Sequence, residues 1–229
     1  MFSRLTRSTA PLFPIAEAAR FARTHPQTLK RWAQGYEVAG REYATLLVLP
    51  GERPRGEVLL SFENLIEVAT ITAWRRRGIP LQRIRRAHVL AIAEFGEHPF
   101  ARQDVYVGGR ELFIQADEEV AESGRSFTQI TAGGQRVLAP AVEGFLRSID
   151  WRTGQDSPVR WRPPEGDDEV TLNPEIEYGL PAVQGVRTET ILHRFLARES
   201  AEEIANDFDL KVASVEYALR YEWSLTRAA

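Results

Sequence analysis

The chain has 229 residues, of which 43% are hydrophobic and 27% are charged, and this composition is typical of a globular protein. Cysteine is absent, which excludes disulfides, thiolate metal ligands and thiol nucleophiles. The sequence has no apolar run of about 18 residues and no signal-peptide pattern at its start, so we expect a soluble cytoplasmic protein.

The net charge of −3 is divided unevenly along the chain. Residues 1–112 contain 17 Arg or Lys and 11 Asp or Glu, a balance of +6, whereas residues 113–229 contain 12 and 21, a balance of −9. A basic half suits a polyanion such as nucleic acid, and an acidic half suits a basic partner. Two differently charged, solvated surfaces would give the same division, so charge alone leaves both interpretations open.

Two short helices joined by a tight turn are predicted near the N-terminus. The first begins near Pro14 and carries an alanine-rich face that another helix can approach closely. Thr24 is predicted as the N-cap of the second helix, which runs from His25 to about Gln34 with Pro26 in its first turn. This arrangement is typical of a helix-turn-helix.

The outer face of the second helix is polar and basic. Gln and Thr side chains can hydrogen-bond to base edges, while Lys and Arg can neutralise phosphates or read guanine. An amphipathic helix with a merely hydrated polar face is the alternative. The candidate DNA-binding residues on this helix are Thr24, His25, Gln27, Thr28, Lys30 and Arg31.

A β-hairpin is predicted to follow this helix pair. Its strands are Tyr43–Leu49 and Glu57–Phe62, and the loop between them is rich in proline and glycine. The loop carries Arg53 and Arg55. We expect this basic tip to contact DNA as the wing of a winged helix-turn-helix.

Two longer helices are predicted next, at Glu63–Arg77 and Leu81–Phe95, with Ser61 as the cap of the first. Three arginines, Arg75 to Arg77, end the first helix, where the helix dipole favours cations and where phosphate contact is a second interpretation. The Glu63–Arg77 helix is also a candidate surface for self-association.

The remaining chain is predicted to form a small sheet, a helix, a connection and a second domain. Short alternating segments within residues 104–131 indicate antiparallel strands, and a helix is predicted at about Arg136–Ile149. We expect a first domain over residues 1–150, a connection over residues 151–172 and a second domain over residues 173–229.

The connection combines aromatic and basic residues with several prolines. An extended segment with aromatic anchors can fill a groove on a partner protein. The alternative is that the segment packs on its own domains. The candidate partner-binding residues are Trp151, Arg160 and Trp161.

The last domain is predicted to be helical. Its first helix is expected at Thr188–Ala197, its second begins with a capping box of Ser200 and Glu203, and its third covers about Val212–Ser224. The outer faces of these helices are acidic, which favours a basic partner or self-association over DNA. The predicted core residues of the third helix are Val215, Tyr217, Leu219 and Trp223.

The order of these motifs resembles that of VapB-type antitoxins. The N-terminal half is similar to the MerR-like DNA-binding half of longer members of this group, through the segment from Leu60-Ser61-Phe62 to Arg85-Arg86-Ala87. The C-terminal part resembles the small three-helix domain of VapB-type antitoxins. The segments that carry this resemblance are Asn173-Pro174-Glu175-Ile176-x-x-Gly179-x-Pro181, Gly185-Val186-Arg187-Thr188-Glu189-Thr190-Ile191, Ser200-x-Glu202-Glu203-Ile204-Ala205-x-Asp207-Phe208 and Val215-Glu216-x-Ala218-Leu219-Arg220-Tyr221-Glu222.

The resemblance implies a type II antitoxin that represses its own operon by DNA binding and holds a PIN-domain ribonuclease toxin inactive. We expect a homodimer or higher homo-oligomer, because a single helix-turn-helix module seldom binds tightly enough alone. Two-fold symmetry would then place two recognition helices about 34 Å apart on a palindromic site. Two alternatives remain. One is a stand-alone MerR-like transcription regulator, and the other is an adaptor without a role at DNA.

No catalytic constellation is visible in the sequence. It has no nucleotide-cradling glycine motif and no nucleophile elbow, and its four histidines show no i, i+4 pairing typical of a zinc site. We therefore expect a non-enzymatic protein without a metal or cofactor. The expected fold is α+β and mostly helical, with a winged, MerR-like helix-turn-helix half, a small antiparallel sheet and a C-terminal three-helix domain.

Overall fold

The computed structural model describes residues 7–51, 57–102, 145, 147–152 and 157–226. Within these residues the chain is mostly helical and contains small antiparallel sheets, as the sequence predicts. None of the helices described there is long and apolar enough to cross a membrane.

The N-terminal part consists of a pair of short helices, a short hairpin and two longer helices. The helix pair buries Ala18 and Ala19 from its first member and Leu29 and Trp32 from its second, as their spacing predicts. The elements are β1 (Phe13–Pro14), α1 (Ile15–Phe21), α2 (Pro26–Gln34), β2 (Tyr36–Val38), β3 (Arg41–Tyr43), β4 (Leu59–Leu60), α3 (Phe62–Arg76), α4 (Leu81–Phe95) and a 3₁₀ turn (Pro99–Ala101).

The start of α2 differs from the prediction by one residue. His25, rather than Thr24, is the N-cap, and its Nδ1 accepts a hydrogen bond from the Gln27 backbone N–H at 3.1 Å. Pro26 lies in the first turn as predicted, because a helix leaves the N–H at that position unpaired. Gly35 ends the helix with φ +73°, and a Cβ there would lie 2.7 Å from a backbone oxygen of β3.

The predicted pairing of Tyr43–Leu49 with Glu57–Phe62 is wrong. Strand β4 pairs instead with β1, and the hairpin is formed by β2 and β3, directly after α2. Its turn, Ala39–Gly40, has φ values of +51° and +73°, and the two-residue type I′ hairpin turn has positive φ at both positions. Arg53 and Arg55, predicted at the tip of a wing, lie outside the described residues.

Helix α3 is the centre of the N-terminal part. Ser61 caps it as predicted: its Oγ accepts a hydrogen bond from the Asn64 N–H at 3.1 Å, and Asn64 Oδ1 accepts one from the Ser61 N–H at 3.1 Å. Almost every side chain from Phe62 to Trp74 is buried in the chain's own core. The expectation that the Glu63–Arg77 helix offers a surface for self-association is therefore wrong.

The C-terminal part contains two small sheets followed by helices. In the first sheet β5 pairs with β6, and the second has the order β7-β8-β9. The second sheet was not predicted, because two-residue strands are too short to show alternation. The elements are β5 (Ile149–Trp151), β6 (Pro158–Trp161), β7 (Val170–Thr171), β8 (Ala182–Val183), β9 (Val186–Arg187), α5 (Thr188–Leu196), α6 (Ala201–Asp207) and α7 (Val212–Thr226).

The sequence predicts the helices of this part well and the buried face of α7 less well. The capping box of α6 is present: Ser200 Oγ accepts from the Glu203 N–H at 3.2 Å, and the Glu203 carboxylate accepts from the Ser200 N–H at 2.8 Å. In α7, the core prediction is wrong at Trp223, which is 44% exposed. The predicted core residue Tyr217 is half-buried, and Tyr221, two positions before Trp223, is fully buried instead.

A single hydrophobic core connects the two parts, from Phe13 to Leu225. Within the predicted connection, Trp161 is only 3% exposed and its backbone pairs with that of Leu172. Trp161 is therefore not available as a partner-binding anchor, and residues 157–172 follow the alternative interpretation in which the segment packs on its own chain. The division into three segments stays a prediction.

Two further predictions fall largely on residues that the structure does not describe. The sheet predicted within residues 104–131 lies outside the described residues. The same holds for most of the helix predicted at Arg136–Ile149. Ile149 itself begins β5 and does not end a helix.

Candidate nucleic-acid interface

Helix α2 presents its polar side to solvent because its apolar side is fixed in the core. Leu29 and Trp32 are buried, and the Trp32 carbonyl accepts a hydrogen bond from the Leu46 N–H at 2.7 Å. This fixes the helix against the segment that follows the hairpin. The six residues predicted for DNA binding thus share the accessible side, with Thr24 and Thr28 half-buried and the other four exposed: His25, Gln27, Lys30 and Arg31.

The hairpin β2–β3 extends this surface through stacked rings. Tyr36 and Tyr43 stack with their centroids 4.7 Å apart and their planes 7° from parallel. The Arg31 guanidinium lies 5.5 Å from the Tyr36 ring centroid, and the Arg41 guanidinium lies 5.4 Å from that of Tyr43. Cation–π attraction of this kind orients a guanidinium while leaving its N–H groups available for hydrogen bonds. The stack therefore joins a cation of α2 to a cation of the hairpin.

The two faces of the hairpin carry opposite charges. Because side chains alternate along a strand, Tyr36, Arg41 and Tyr43 lie on one face. Glu37 and Glu42 are direct cross-strand partners on the other face, an unfavourable pairing of like charges. An open cleft of about 560 Å³ beside the hairpin is lined in part by these two carboxylates. A phosphate group is therefore attracted to the tyrosine face and repelled by the glutamate face.

Arg85 of α4 contacts the chain directly after the hairpin. Its Nη1 donates to the Ala44 carbonyl at 2.7 Å, and its Nε and Nη2 are buried without a hydrogen-bond partner among the described residues. Burial lowers the pKa of Arg85, and its electrostatic interaction with Tyr36 and Tyr43 opposes this shift. Arginine remains charged in spite of such shifts, so a third cation lies close to the hairpin.

The arginines that end α3 are partly used within the chain. Arg75 Nη1 donates to the Ile79 carbonyl at 2.8 Å, and Arg76 Nη2 donates to the Arg23 carbonyl at 2.9 Å. All three side chains from Arg75 to Arg77 are exposed at the helix C-terminus. Their local contacts support the interpretation of favourable helix-end electrostatics, and phosphate contact by this cluster stays a prediction.

Of the three residues predicted for partner binding, Trp151 and Arg160 are accessible and Trp161 is buried. Arg160 and the half-buried Trp151 share the β5–β6 sheet, where Arg160 Nε donates to Asp150 Oδ2 at 2.5 Å. Arg162 hydrogen-bonds to the same carboxylate, and its hydrogen bond, supported by that of Arg160, holds the pKa of Asp150 below its usual value despite partial burial. Trp161, in contrast, is buried and offers no contact surface.

An exposed apolar pair on the C-terminal helices was missed by the sequence analysis. Leu196, at the end of α5, is 64% exposed, and Trp223 of α7 is 44% exposed. Trp223 makes an edge contact with the ring of Phe195 at 6.0 Å between centroids. From the sequence, Trp223 is predicted as a core residue of this helix.

The chain is similar in sequence to a DNA-binding domain family and to two mycobacterial proteins. Residues 11–88 match the model of a family described as "Putative DNA-binding HTH domain". The chain is 30% identical to "Putative antitoxin VapB45" of Mycobacterium tuberculosis, an alignment that covers 93% of this chain and 94% of that protein. It is 25% identical to "Uncharacterized protein Rv2308" of the same organism, over 92% of this chain and 89% of that one.

The fold also has a counterpart among solved structures. The crystal structure of Rv2018 from Mycobacterium tuberculosis superposes with a TM-score of 0.70, covering 93% of this chain and all of that one. The sequence identity is 24%, so this comparison shows the fold alone.

The helix pair α1–α2, its exposed polar side and the matching domain model define a helix-turn-helix protein of the DNA-binding class. The similarity to VapB45 extends over nearly the whole of both chains. The chain belongs to the VapB45 family of antitoxins.

Proposed function

We propose that this protein is the antitoxin of a type II toxin–antitoxin pair, which neutralises a PIN-domain ribonuclease toxin and represses its own operon. The observation that carries the proposal is the near full-length similarity to VapB45. In this role the protein is a non-enzymatic regulator. Its DNA-binding surface and its toxin-binding surface lie on different parts of the chain.

The DNA-binding surface is the accessible side of α2 together with the tyrosine face of β2–β3. Gln27 and Thr28 have side chains that suit base edges, and Lys30 and Arg31 suit phosphates or guanine. In a homodimer the two copies of α2 would lie about 34 Å apart, the spacing of successive major grooves on one side of the duplex. Arg41 on β3 adds a cation to this surface, and Arg53 and Arg55 stay predicted DNA contacts.

The toxin-binding surface is assigned to the C-terminal part. Residues 173–229 contain 10 Asp or Glu and 6 Arg or Lys, a balance of −4, which suits the basic surface of a ribonuclease. Trp151 and Arg160 on β5–β6, with the exposed pair Leu196 and Trp223, supply the aromatic and arginine side chains that dominate protein interfaces.

The first experiment expresses the gene adjacent to this one in cells, with and without this protein, and scores growth. Toxicity that this protein relieves supports the antitoxin role. A harmless neighbour, or toxicity that persists, contradicts it and favours the stand-alone transcription regulator, for which the matched helix-turn-helix domain is the supporting observation.

A second experiment tests the DNA-binding surface. We expect the double variant Lys30→Ala, Arg31→Ala to lose at least tenfold in affinity for a duplex taken from the region upstream of its own gene. Lys211→Ala is the control, since Lys211 lies on the far C-terminal part and is exposed. Unchanged binding by the double variant would refute the assignment of α2 as the recognition helix, and no DNA binding by the natural chain would favour an adaptor.

A further inference from the structure

The turn between α1 and α2 contains an arginine in a conformation that favours glycine. Arg23 has φ +56°. The Thr24 N–H donates to the Ala19 carbonyl at 2.9 Å and the Arg23 N–H donates to the Arg20 carbonyl at 3.3 Å, which is the Schellman pattern at a helix C-terminus. The left-handed residue of this motif is most often glycine, because a Cβ is strained there. Arginine is uncommon at such a position, and a role for its side chain would account for its presence there.

The Arg23 side chain finds that role on the last helix of the chain. Its Nη1 donates to the Ser224 carbonyl at 2.5 Å, and its Nη2 donates to Ser224 Oγ at 2.6 Å. The guanidinium also lies 5.8 Å from the ring centroid of Tyr221, which is fully buried. These contacts are partly shielded from water and join residues 201 positions apart.

The same turn is also held from α3. The Arg23 carbonyl accepts a hydrogen bond from Arg76 Nη2 at 2.9 Å. The residue two positions later, His25, caps α2. The backbone that sets the direction of α2 is thus fixed on one side by α3 and on the other by α7.

We infer that Arg23 is a positioning residue, which couples the C-terminal helix α7 to the recognition helix α2 and fixes the orientation in which α2 meets DNA. The inference rests on the proposed DNA binding. Arg23 itself is directed to α7 and is not counted among the residues that contact DNA. It makes α7 part of the DNA-reading unit, although α7 belongs to the part of the chain assigned to the toxin.

The chain offers a matched control for this contact. Arg198, after α5, has φ +77°, and its turn has the same pattern, with the Glu199 N–H donating to the Arg194 carbonyl at 3.3 Å. The Arg198 side chain is exposed and forms no hydrogen bond or ion pair within the described part of the chain. Replacement by glycine relieves the same backbone strain at both positions, but only Arg23→Gly removes a contact with α7.

The test compares the natural chain with the full-length variants Arg23→Gly, Arg23→Lys and Arg198→Gly. Binding is measured on a duplex from the region upstream of its own gene, at several salt concentrations. We expect Arg23→Gly to bind about tenfold more weakly, Arg23→Lys to recover part of this loss, and Arg198→Gly to bind as the natural chain does. The slope of log affinity against log salt is expected to stay unchanged, whereas loss of a phosphate contact would reduce it by about one.

Two further measurements separate positioning from a merely structural role. Thermal unfolding is expected to show Arg23→Gly folded at the temperature of the binding assay, and hydrogen exchange is expected to be faster at the α2 amides in this variant alone. Natural affinity and natural α2 exchange in Arg23→Gly would overturn the coupling while leaving the proposed function intact. A natural chain that binds no operator DNA would overturn the proposed function itself.

Discussion

Glu67 and His98 face each other in the core, with 3.2 Å between Glu67 Oε2 and His98 Nδ1. His88 lies on the other carboxylate oxygen, with its Nε2 3.2 Å from Glu67 Oε1, and the Phe100 N–H donates to that same oxygen at 3.3 Å. All these groups are buried. The network joins α3, α4 and the start of the 3₁₀ turn, and it was not predicted from the sequence because its residues are 21 and 31 positions apart.

The network makes stability depend on pH in two directions. Burial raises the pKa of Glu67, but hydrogen bonds from His88 and His98 and their charge outweigh burial and lower this pKa to about 2. Burial lowers the pKa of His98, and its hydrogen bond with Glu67, together with the charges of Glu67, Glu63 and Glu97, outweighs burial and raises it. Both shifts favour an ion pair in the folded state.

The first prediction follows from the signs of these shifts. Ionised Glu67 stabilises the folded state above its unfolded pKa near 4.5, and this stabilisation is lost as the pH falls towards 2. Protonated His98 stabilises the folded state below about pH 6.5, and this stabilisation is lost as the pH rises through the raised pKa of the folded state. Urea unfolding at a series of pH values should therefore show His98→Asn with a weaker loss of stability above pH 6.5 than the natural chain. His193→Gln, at an exposed histidine of α5, is the control. Equal slopes for His98→Asn and the natural chain would contradict the ion pair.

The second prediction separates the two tryptophans proposed from the sequence as partner anchors. Trp161→Ala removes a fully packed side chain and should cost about 3–5 kcal/mol of unfolding free energy, while Trp151→Ala, at a half-buried position, should cost clearly less. Denaturant unfolding measures both. Toxin capture is then measured on the folded Trp151→Ala chain, where we expect weaker binding. A Trp161→Ala chain as stable as the natural one would contradict the packing of β6 described above.

The third prediction concerns the two faces of the hairpin. Arg41→Gln should weaken DNA binding and reduce the salt slope by about one, because it removes a single phosphate contact. Glu42→Gln, on the opposite face and in the neighbouring position, should leave the slope unchanged. Titration of both variants with the same duplex across a range of salt concentrations tests this. A reduced slope for Glu42→Gln, with none for Arg41→Gln, would reverse the assignment of the faces.

The elements predicted well from the sequence are those specified by nearby residues. Helix α4 has the predicted bounds, Leu81–Phe95, because apolar spacing and the preceding proline act over one or two turns. The caps at Ser61 and Ser200 were predicted correctly because a cap acts on the first turn of its own helix; at Ser200 the predicted capping box joins residues three positions apart.

The elements predicted poorly depend on distant contacts. Strand β4 pairs with β1, about 46 residues away in sequence, and nothing local indicates this partner. The buried side of α7 was misassigned at Trp223, because the side of a helix that faces the core depends on what packs against it.

In the candidate site, too, the features specified by nearby residues were predicted and the others were not. The polar side of α2 was visible in the sequence, but the hairpin was placed too late in the chain. The short turn at Ala39–Gly40, between Tyr36 and Tyr43, marks the true position of the hairpin in the sequence. The stack of Arg31, Tyr36, Tyr43 and Arg41 depends on this register and could not be predicted without it.

The fourth prediction compares the two capping boxes. Ser61 is fully buried, and the side chain of its partner Asn64 is held in place by donating to the Val48 carbonyl at 2.8 Å. Ser61→Ala therefore leaves the buried backbone N–H of Asn64 without an acceptor. Ser200 is exposed, and water can replace its hydroxyl. We expect Ser61→Ala to cost about 2–3 kcal/mol and Ser200→Ala about 1 kcal/mol or less, as measured by denaturant unfolding. Equal costs would mean that water reaches the start of α3 and that the core around Asn64 is less closed than the structure shows.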